Sequence, residues 1–523
     1  MYTSYNKNLV FILIFLLVIP FLYVLFVNPY FSNTDEAFQL QAAMRLADGR
    51  GYTATLIPQK DLSIANYSYL KGWPIGYSFF ISLLLKIGFS IGFSAKLFKS
   101  VVLISGIWLW FKLSDFYIER TMAKILYVSL LCPLSLRFAS SCTDLILWAI
   151  FPLLTWLMLS VKQLPAREKN IKKQSVFILA TSLLVSIAIL VKYLGLVMLI
   201  ICFVWVVFMH RKNYKEVVIN SSLVVLLPIV TAVIIFYTNV LYAGSVGTIG
   251  AVINKHLHLN FNLLEIFEAI LYVFMPPGLL IFIVNKLNIG GQLVMVVRIL
   301  AAGVMFTMGC VLYKLYRIGR FNVLTSWFIL SFMSLILFLG FLTLCFWNGT
   351  SFKFFSECRY YYFISPIIIM FVVEFLFSIM SQRGARIFTI LVVVVGMAGA
   401  WSYSAYKEYE NRLDCRVKSV VLNGIQSIRS ADTEASVVVI AGDAKYNLLF
   451  QQQGISSYSV RYDQVLNKET FFSKPTWVFI VCDGNSGCSE NIVEVVKRLS
   501  FDNASYPKAT IYWRKFNVGQ LSS

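Results

Sequence analysis

Apolar runs of about twenty residues, separated by short polar connectors, recur along most of the chain. That is the length an α-helix needs to cross the hydrocarbon core of a bilayer. The runs cover residues 9–27, 96–114, 121–138, 143–161, 175–191, 194–210, 217–238, 293–314, 323–346, 361–380 and 387–404. They predict a polytopic α-helical membrane protein of about eleven spans. Two further apolar stretches, 74–93 and 266–284, are read as juxtamembrane or re-entrant helices on the outer face. In the second, Met275-Pro276-Pro277-Gly278 would break a spanning helix. Counting both stretches as spans gives the alternative of about thirteen.

After residue 405 the pattern changes, and charged and polar residues become ordinary. Helices near 412–429, 445–453 and 489–499 are expected to alternate with strands at 436–441, 455–460, 476–482 and 509–515. That alternation indicates a small α/β soluble domain. The predicted organisation is a transmembrane domain over 1–404, with its first outer loop at 28–95, and an extracytoplasmic α/β domain over 405–523.

Composition agrees with the pattern. Of 523 residues, 59% are hydrophobic and 13% charged, and the mean hydropathy is +0.74, which excludes a soluble protein. The net charge of +20 suggests nucleic acid until its distribution is considered. The basic residues lie in short connectors between apolar runs: Lys112, Arg120 and Lys124; Lys162, Arg167, Lys169, Lys172 and Lys173; Arg211, Lys212 and Lys215; Lys314, Arg317 and Arg320; Arg383 and Arg386. All fall on one side if the N-terminus is inside and the first loop outside, which is the positive-inside pattern. No nucleic-acid partner is expected. The first run follows Lys7 and lacks a small-residue cleavage site, so it is read as a retained signal-anchor. With an odd number of spans the C-terminal domain lies outside. Short loops favour a bacterial inner membrane; Asn66 and Asn348 would be glycosylation acceptors only in the endoplasmic reticulum. Nine cysteines are scattered without metal-ligand spacing, and Cys482 and Cys488 flank a turn that a disulfide would close.

Candidate chemistry concentrates in residues 28–99. Asp35 and Glu36 follow the first apolar run and precede a helical pattern with Phe38, Ala42 and Leu46 on one face. Gln39, Gln41 and Arg45 are turned away from that face, and Gly49 and Gly51 end the pattern. Lys71 and Trp73 precede a second helix starting near Pro74. An acidic pair and a lysine at a membrane surface suit chemistry on a lipid-borne anionic substrate. Asp35 is either a helix cap or a general base that deprotonates an acceptor as it attacks an activated sugar. Asp144 stands near the outer end of its span, where a helix-start role competes with orienting a substrate or Lys71. Lys192 and Tyr193 lie in an outer turn where a phosphate site or simple hairpin geometry explains them equally. His256 and His258 read as solvated loop residues, for want of further metal ligands. Ala441-Gly442-Asp443 is an ordinary turn or a ligand site in the C-terminal domain.

The order of these pieces resembles the GT-C superfamily of integral-membrane glycosyltransferases, in the branch containing protein O-mannosyltransferases and lipid A aminoarabinose transferases. The pieces are an N-terminal anchor, DEAFQLQAAMRLADGRGYT, KGWPIGY, SSCTDLILWAIF and ECRYYYFISPIIIM, covering roughly 5–165 and 345–405. The resemblance implies Asp35 as catalytic base with Glu36 its neighbour, Lys71 as a lipid-phosphate ligand, and Arg359, followed by Tyr360, as a second. Cations at the outer interface would bind a polyprenyl phosphate and stabilise charge on its departure. The structural alternatives are snorkelling of Lys71 and Arg359 to the interface, and an ion pair between Glu357 and Arg359.

The implied function is transfer of a sugar from a polyprenyl-phosphate-linked donor to a lipid, polysaccharide or protein acceptor on the outer face, with inversion. No cofactor is required; a divalent metal is compatible with the site, although two carboxylates do not make a metal cage. The rival is a transporter or flippase of lipid-linked glycans. Transporters carry half-repeats and midplane charges, whereas here no repeat is visible and the candidate charges sit at the outer edge. A third reading makes the protein a receptor or scaffold acting through its C-terminal domain.

Overall fold

The computed structural model describes residues 7–27, 34–55, 60–138, 142–163, 171–244, 293–317, 322–345, 358–431, 435–441, 448, 450–452, 455–458, 470–483, 496, 499–506 and 509–520. Helices α1 (Lys7–Val27), α2 (Thr34–Ala47), α3 (Gly76–Lys86), α4 (Ile91–Asp115), α5 (Thr121–Phe138), α6 (Cys142–Gln163), α7 (Ile171–Val191), α8 (Gly195–His210) and α9 (Tyr214–Ala243) come first. They are followed by α10 (Leu293–Arg317), α11 (Asn322–Cys345), α12 (Ser365–Ile379) and α13 (Gln382–Ala431). Each apolar run expected to span is helical over most of its length among the described residues. Among the described residues, 6 helices are long and apolar enough to cross a membrane, lying in α4, α6, α7, α9, α11 and α13.

The stretch 74–93 is not one spanning helix. Its α3 has 11 residues, about 16 Å at 1.5 Å per residue, against about 30 Å of hydrocarbon. Gly88 follows at φ 98°, a left-handed conformation that favours glycine, and α4 starts afresh at Ile91. The stretch 266–284, His256, His258, Asn348, Glu357 and Cys488 lie outside the described residues. Cys482 is disulfide-bonded.

The chain divides into two compact units: residues 1–21, 71–76 and 99–401, and residues 22–70, 77–98 and 402–523. In the first, α6 is the hub, and its membrane-length window is 89% buried. Pro152 lies inside α6 and has no N–H to bond the carbonyl of Trp148 one turn earlier. That carbonyl accepts the indole N–H of Trp110 from α4 at 3.0 Å instead. Trp327 of α11 donates to Thr155 Oγ1 at 3.0 Å, and Trp205 of α8 to the carbonyl of Met158 at 3.2 Å. An indole N–H buried without an acceptor costs about 2 kcal/mol or more, so these bonds fix where each neighbouring helix meets α6. Gly106 of α4 makes the approach close: a Cβ there would lie 2.3 Å from the ring of Trp148.

The second unit holds a mixed five-stranded sheet in the order β4-β3-β6-β8-β7. Its strands are β3 (Ser436–Ala441), β4 (Ser456–Tyr458), β6 (Thr476–Asp483), β7 (Asp502–Tyr506) and β8 (Ala509–Phe516). β3 pairs in parallel with β4 and β6, while β8 runs antiparallel to β6 and β7. Because side chains alternate across a strand, Val438 and Ile440 face one apolar cluster while Val437, Val439 and Ala441 face another. A central strand covered on both faces reads as a continuous apolar run, as SVVVIA does.

Two short ladders complete the unit: β1 (Thr53–Ala54) with β2 (Ser68–Tyr69), and β5 (Phe471–Phe472) with β9 (Gly519–Gln520). The segment before β2 is built into the same core as the sheet. Leu62 joins the cluster of Val438 and Ile440, and the N–H of Phe471 bonds the carbonyl of Lys60 at 3.0 Å. Asp61 accepts from the N–H of Ser63 at 3.0 Å and of Ser473 at 3.2 Å, and the N–H of Asn66 reaches Tyr458 Oη at 2.8 Å. Residues 60–66 and the C-terminal sheet therefore fold together.

Candidate active site

The acidic pair belongs to the second unit. Asp35 and Glu36 stand within the first turn of α2 rather than before it, where a helix's exposed N–H groups favour negative charge. Their environments differ. Glu36 is buried and accepts from the phenol of Tyr77 at 2.8 Å, while Asp35 is half-buried, its backbone carbonyl taken by Gln39 Nε2 at 3.3 Å. A second bond, Ser78 Oγ to the carbonyl of Gln39 at 2.7 Å, ties α3 to α2 beside the pair. Glu36 is thus engaged structurally, and Asp35 is the more accessible carboxylate.

Gln39 and Gln41, expected on the outward face of α2, are both buried. Gln41 Oε1 accepts from the backbone N–H of Thr55 at 3.4 Å and its hydroxyl at 3.3 Å, and Gln451 donates to that hydroxyl at 2.5 Å. Arg45 donates through Nε to Thr53 at 2.6 Å and lies 3.6 Å above the ring of Tyr67. The helix carries packing on several faces, which a single apolar stripe does not reveal.

The cationic candidates belong to the first unit, and there they gather. Asp144, in the first turn of α6 and 3% exposed, forms an ion pair with Lys192 in the turn between α7 and α8. Of the roles open to Asp144 from the sequence, orienting a substrate or Lys71 or starting its helix, it does stand in the helix's first turn, and it pairs with Lys192. The ammonium of Lys192 lies 5.9 Å from the ring of Tyr360, and the guanidinium of Arg359 lies 5.6 Å from that ring. Arg359 and Tyr360 sit on a single 3₁₀ turn (Cys358–Tyr361) that leads into α12. Lys71 is attached through its backbone to the turn between α7 and α8, its carbonyl accepting from Tyr193 Oη at 3.2 Å.

This region thus carries three basic residues, two of them against the Tyr360 ring and the third, Lys71, joined through its backbone to the turn that bears Lys192. Such a setting suits a phosphate more than a neutral group. The sequence reading missed Asn239 of α9, which donates to Tyr193 Oη at 2.7 Å. A buried amide within an apolar run was the available signal. Among the described residues, no group of 3 or more His, Cys, Asp or Glu is arranged to hold a metal ion.

This arrangement of helices and C-terminal sheet is a fold seen in solved structures. Two solved structures share it over nearly the whole chain, both of ArnT, a lipid A aminoarabinose transferase. ArnT from Cupriavidus metallidurans bound to undecaprenyl phosphate superposes with a TM-score of 0.58 at 11% identity, covering 97% of this chain and 98% of that one. The apo state of the same protein gives 0.56 at 12% identity, covering 95% and 97%. At such identities the likeness is one of fold. No protein-family model matches the chain, and no curated protein matches it.

Proposed function

We propose that this protein is a glycosyltransferase that moves a sugar from a polyprenyl-phosphate-linked donor to an acceptor on the outer face of the membrane. The observation that carries the reading is that Lys192, paired with the buried Asp144, and Arg359 both approach the ring of Tyr360, with Lys71 joined through its backbone to the turn that bears Lys192. It occurs in a chain whose fold is that of a protein solved with undecaprenyl phosphate.

In the reaction, an acceptor hydroxyl or amine attacks the anomeric carbon and its proton passes to Asp35. The bond from that carbon to the phosphate oxygen breaks, and the electron pair leaves with the phosphate. A single displacement inverts the configuration. The phosphodiester donor becomes a monoester carrying more negative charge, so cations that meet the leaving oxygen are worth most in the transition state. Lys71 and Arg359 supply that charge. Lys192, held by Asp144, adds to it, and Glu36, anchored to Tyr77, holds the start of α2.

The first unit also contains an apolar cavity of about 1090 Å³, walled by Pro133, Gly303, Thr307, Phe371, Val395 and Gly396 among others. Its chemistry accepts hydrocarbon and suits the donor's chain. The first outer loop and the C-terminal domain share one core, which supports both lying outside a bacterial inner membrane.

The test supplies purified protein in nanodiscs with lipid extract from source cells and follows free polyprenyl phosphate by mass spectrometry. Release in proportion to enzyme supports the reading. Movement of the lipid across a liposome bilayer without release indicates a transporter instead.

A further inference from the structure

Residues 71–75 lie in no helix or strand before α3 begins at Gly76, yet they carry Lys71, the proposed phosphate ligand. Contacts at both ends help to hold them in the first unit. At one end, a Cβ on Gly76 would lie 2.6 Å from the carbonyl oxygen of Leu190, so only glycine allows the segment to sit against the last turn of α7. At the other end, Tyr193 Oη donates to the carbonyl of Lys71.

Tyr193 is itself fixed. Its ring stacks on Phe236 of α9 at 5.9 Å with the planes 12° apart, and its hydroxyl accepts from Asn239 Nδ2 at 2.7 Å. The turn that bears it is compact. The N–H of Lys192 bonds the carbonyl of Ala188 at 2.9 Å, and that of Gly195 bonds the carbonyl of Lys192 at 2.8 Å. A Cβ on Gly195 would lie 2.4 Å from the backbone of Ala188.

A phenol has one proton to give. Because Asn239 approaches with an N–H, that proton is directed to Lys71. The amide thereby sets the direction of the relay as well as its position.

We propose that Asn239 and Tyr193 form a positioning relay from α9, through the turn after α7, that holds the backbone of Lys71 so that its ammonium meets the lipid phosphate. The inference rests on the reading of Lys71 as a phosphate ligand. Neither residue touches substrate; both act through Lys71.

The relay makes a directional prediction. Asn239→Asp keeps the size of the side chain but replaces the donor with an acceptor. The Tyr193 proton then turns to the new carboxylate and leaves the carbonyl of Lys71. Asn239→His restores a ring N–H donor.

The test measures binding of undecaprenyl phosphate to the full chain in nanodiscs, with thermal unfolding of each variant as a control. Tyr193→Phe and Asn239→Asp are expected to weaken binding about three- to tenfold, the range for loss of one hydrogen bond, and Asn239→His to recover part of it. In a Lys71→Ala background, Tyr193→Phe is expected to cost nothing further, because the relay has nothing left to position. Undiminished binding by Tyr193→Phe, or a loss that persists in full in the Lys71→Ala background, overturns the relay while leaving Lys71 as a ligand. Unchanged binding by Lys71→Ala alone overturns both the ligand and the relay. If Tyr193→Phe unfolds early, Asn239→Asp against Asn239→His decides: equal affinities contradict the directional role.

Discussion

Asp144 and Lys192 form a buried ion pair between the first turn of α6 and the turn that joins α7 to α8. Both side chains are largely removed from water, at 2% and 15% exposure, so neither charge is tolerated alone. Asp144→Asn is expected to destabilise the protein by about 3 kcal/mol, because the ammonium is left without its counter-charge. Asp144→Asn with Lys192→Met should recover much of that loss while still weakening lipid-phosphate binding. Thermal unfolding in detergent separates the two effects, and equal melting of the single and double variants would argue against the pair.

Close packing at α6 gives a second expectation. Gly106→Ala forces a methyl to within 2.3 Å of the Trp148 ring, against a side chain that is fully buried. Overpacking of this kind costs about 1–3 kcal/mol. Gly303→Ala, where nothing lies within 4 Å of the added carbon, is the matched control and should leave unfolding unchanged.

Acid should loosen the join between residues 60–66 and the C-terminal sheet. Burial pushes the carboxyl of Asp61 up, but hydrogen bonds from Ser473 and Ser63 outweigh it and hold the group below its ordinary value. A carboxyl depressed on folding contributes stability above its unfolded value, about pH 4. The contribution is lost as the pH falls through the folded value. Limited proteolysis of loop 60–66 should therefore speed up below about pH 4 in the wild type. Asp61→Asn should remove this group's share of that dependence; an unaltered acid profile would contradict it.

The shared core of the first loop and the C-terminal domain puts both on one side of the membrane, which the proposed orientation makes the outer side. A cysteine at Val518, 64% exposed in the second unit, should react with a membrane-impermeant thiol reagent on intact cells when the chain's other unpaired cysteines are replaced. A cysteine at Lys212, in the exposed connector after α8, should react only after permeabilisation. The opposite labelling pattern would reverse the orientation.

The apolar runs revealed the helices because length and hydropathy are local properties. They did not reveal that α13 continues for 50 residues. Polarity changes near residue 405, but no proline breaks the segment, and its Ala, Leu, Lys and Glu residues keep it helical. Strand β7 escaped because Asp502-Asn503-Ala504-Ser505-Tyr506 has no apolar alternation; it is an edge strand held by backbone bonds to β8. The cationic candidates were legible singly as charges at the ends of apolar runs. Their mutual arrangement was not, since Asp144 and Lys192 meet across 48 residues of chain and nothing in either segment names the other.

The most direct test compares wild type with Asp35→Asn, measuring both release of polyprenyl phosphate from a lipid-linked sugar donor and binding of undecaprenyl phosphate. The predicted result is release by the wild type, a loss of at least about a hundredfold in Asp35→Asn, as expected for removal of a general base, and equal lipid binding by both. Equal release by the two proteins would remove Asp35 from the chemistry.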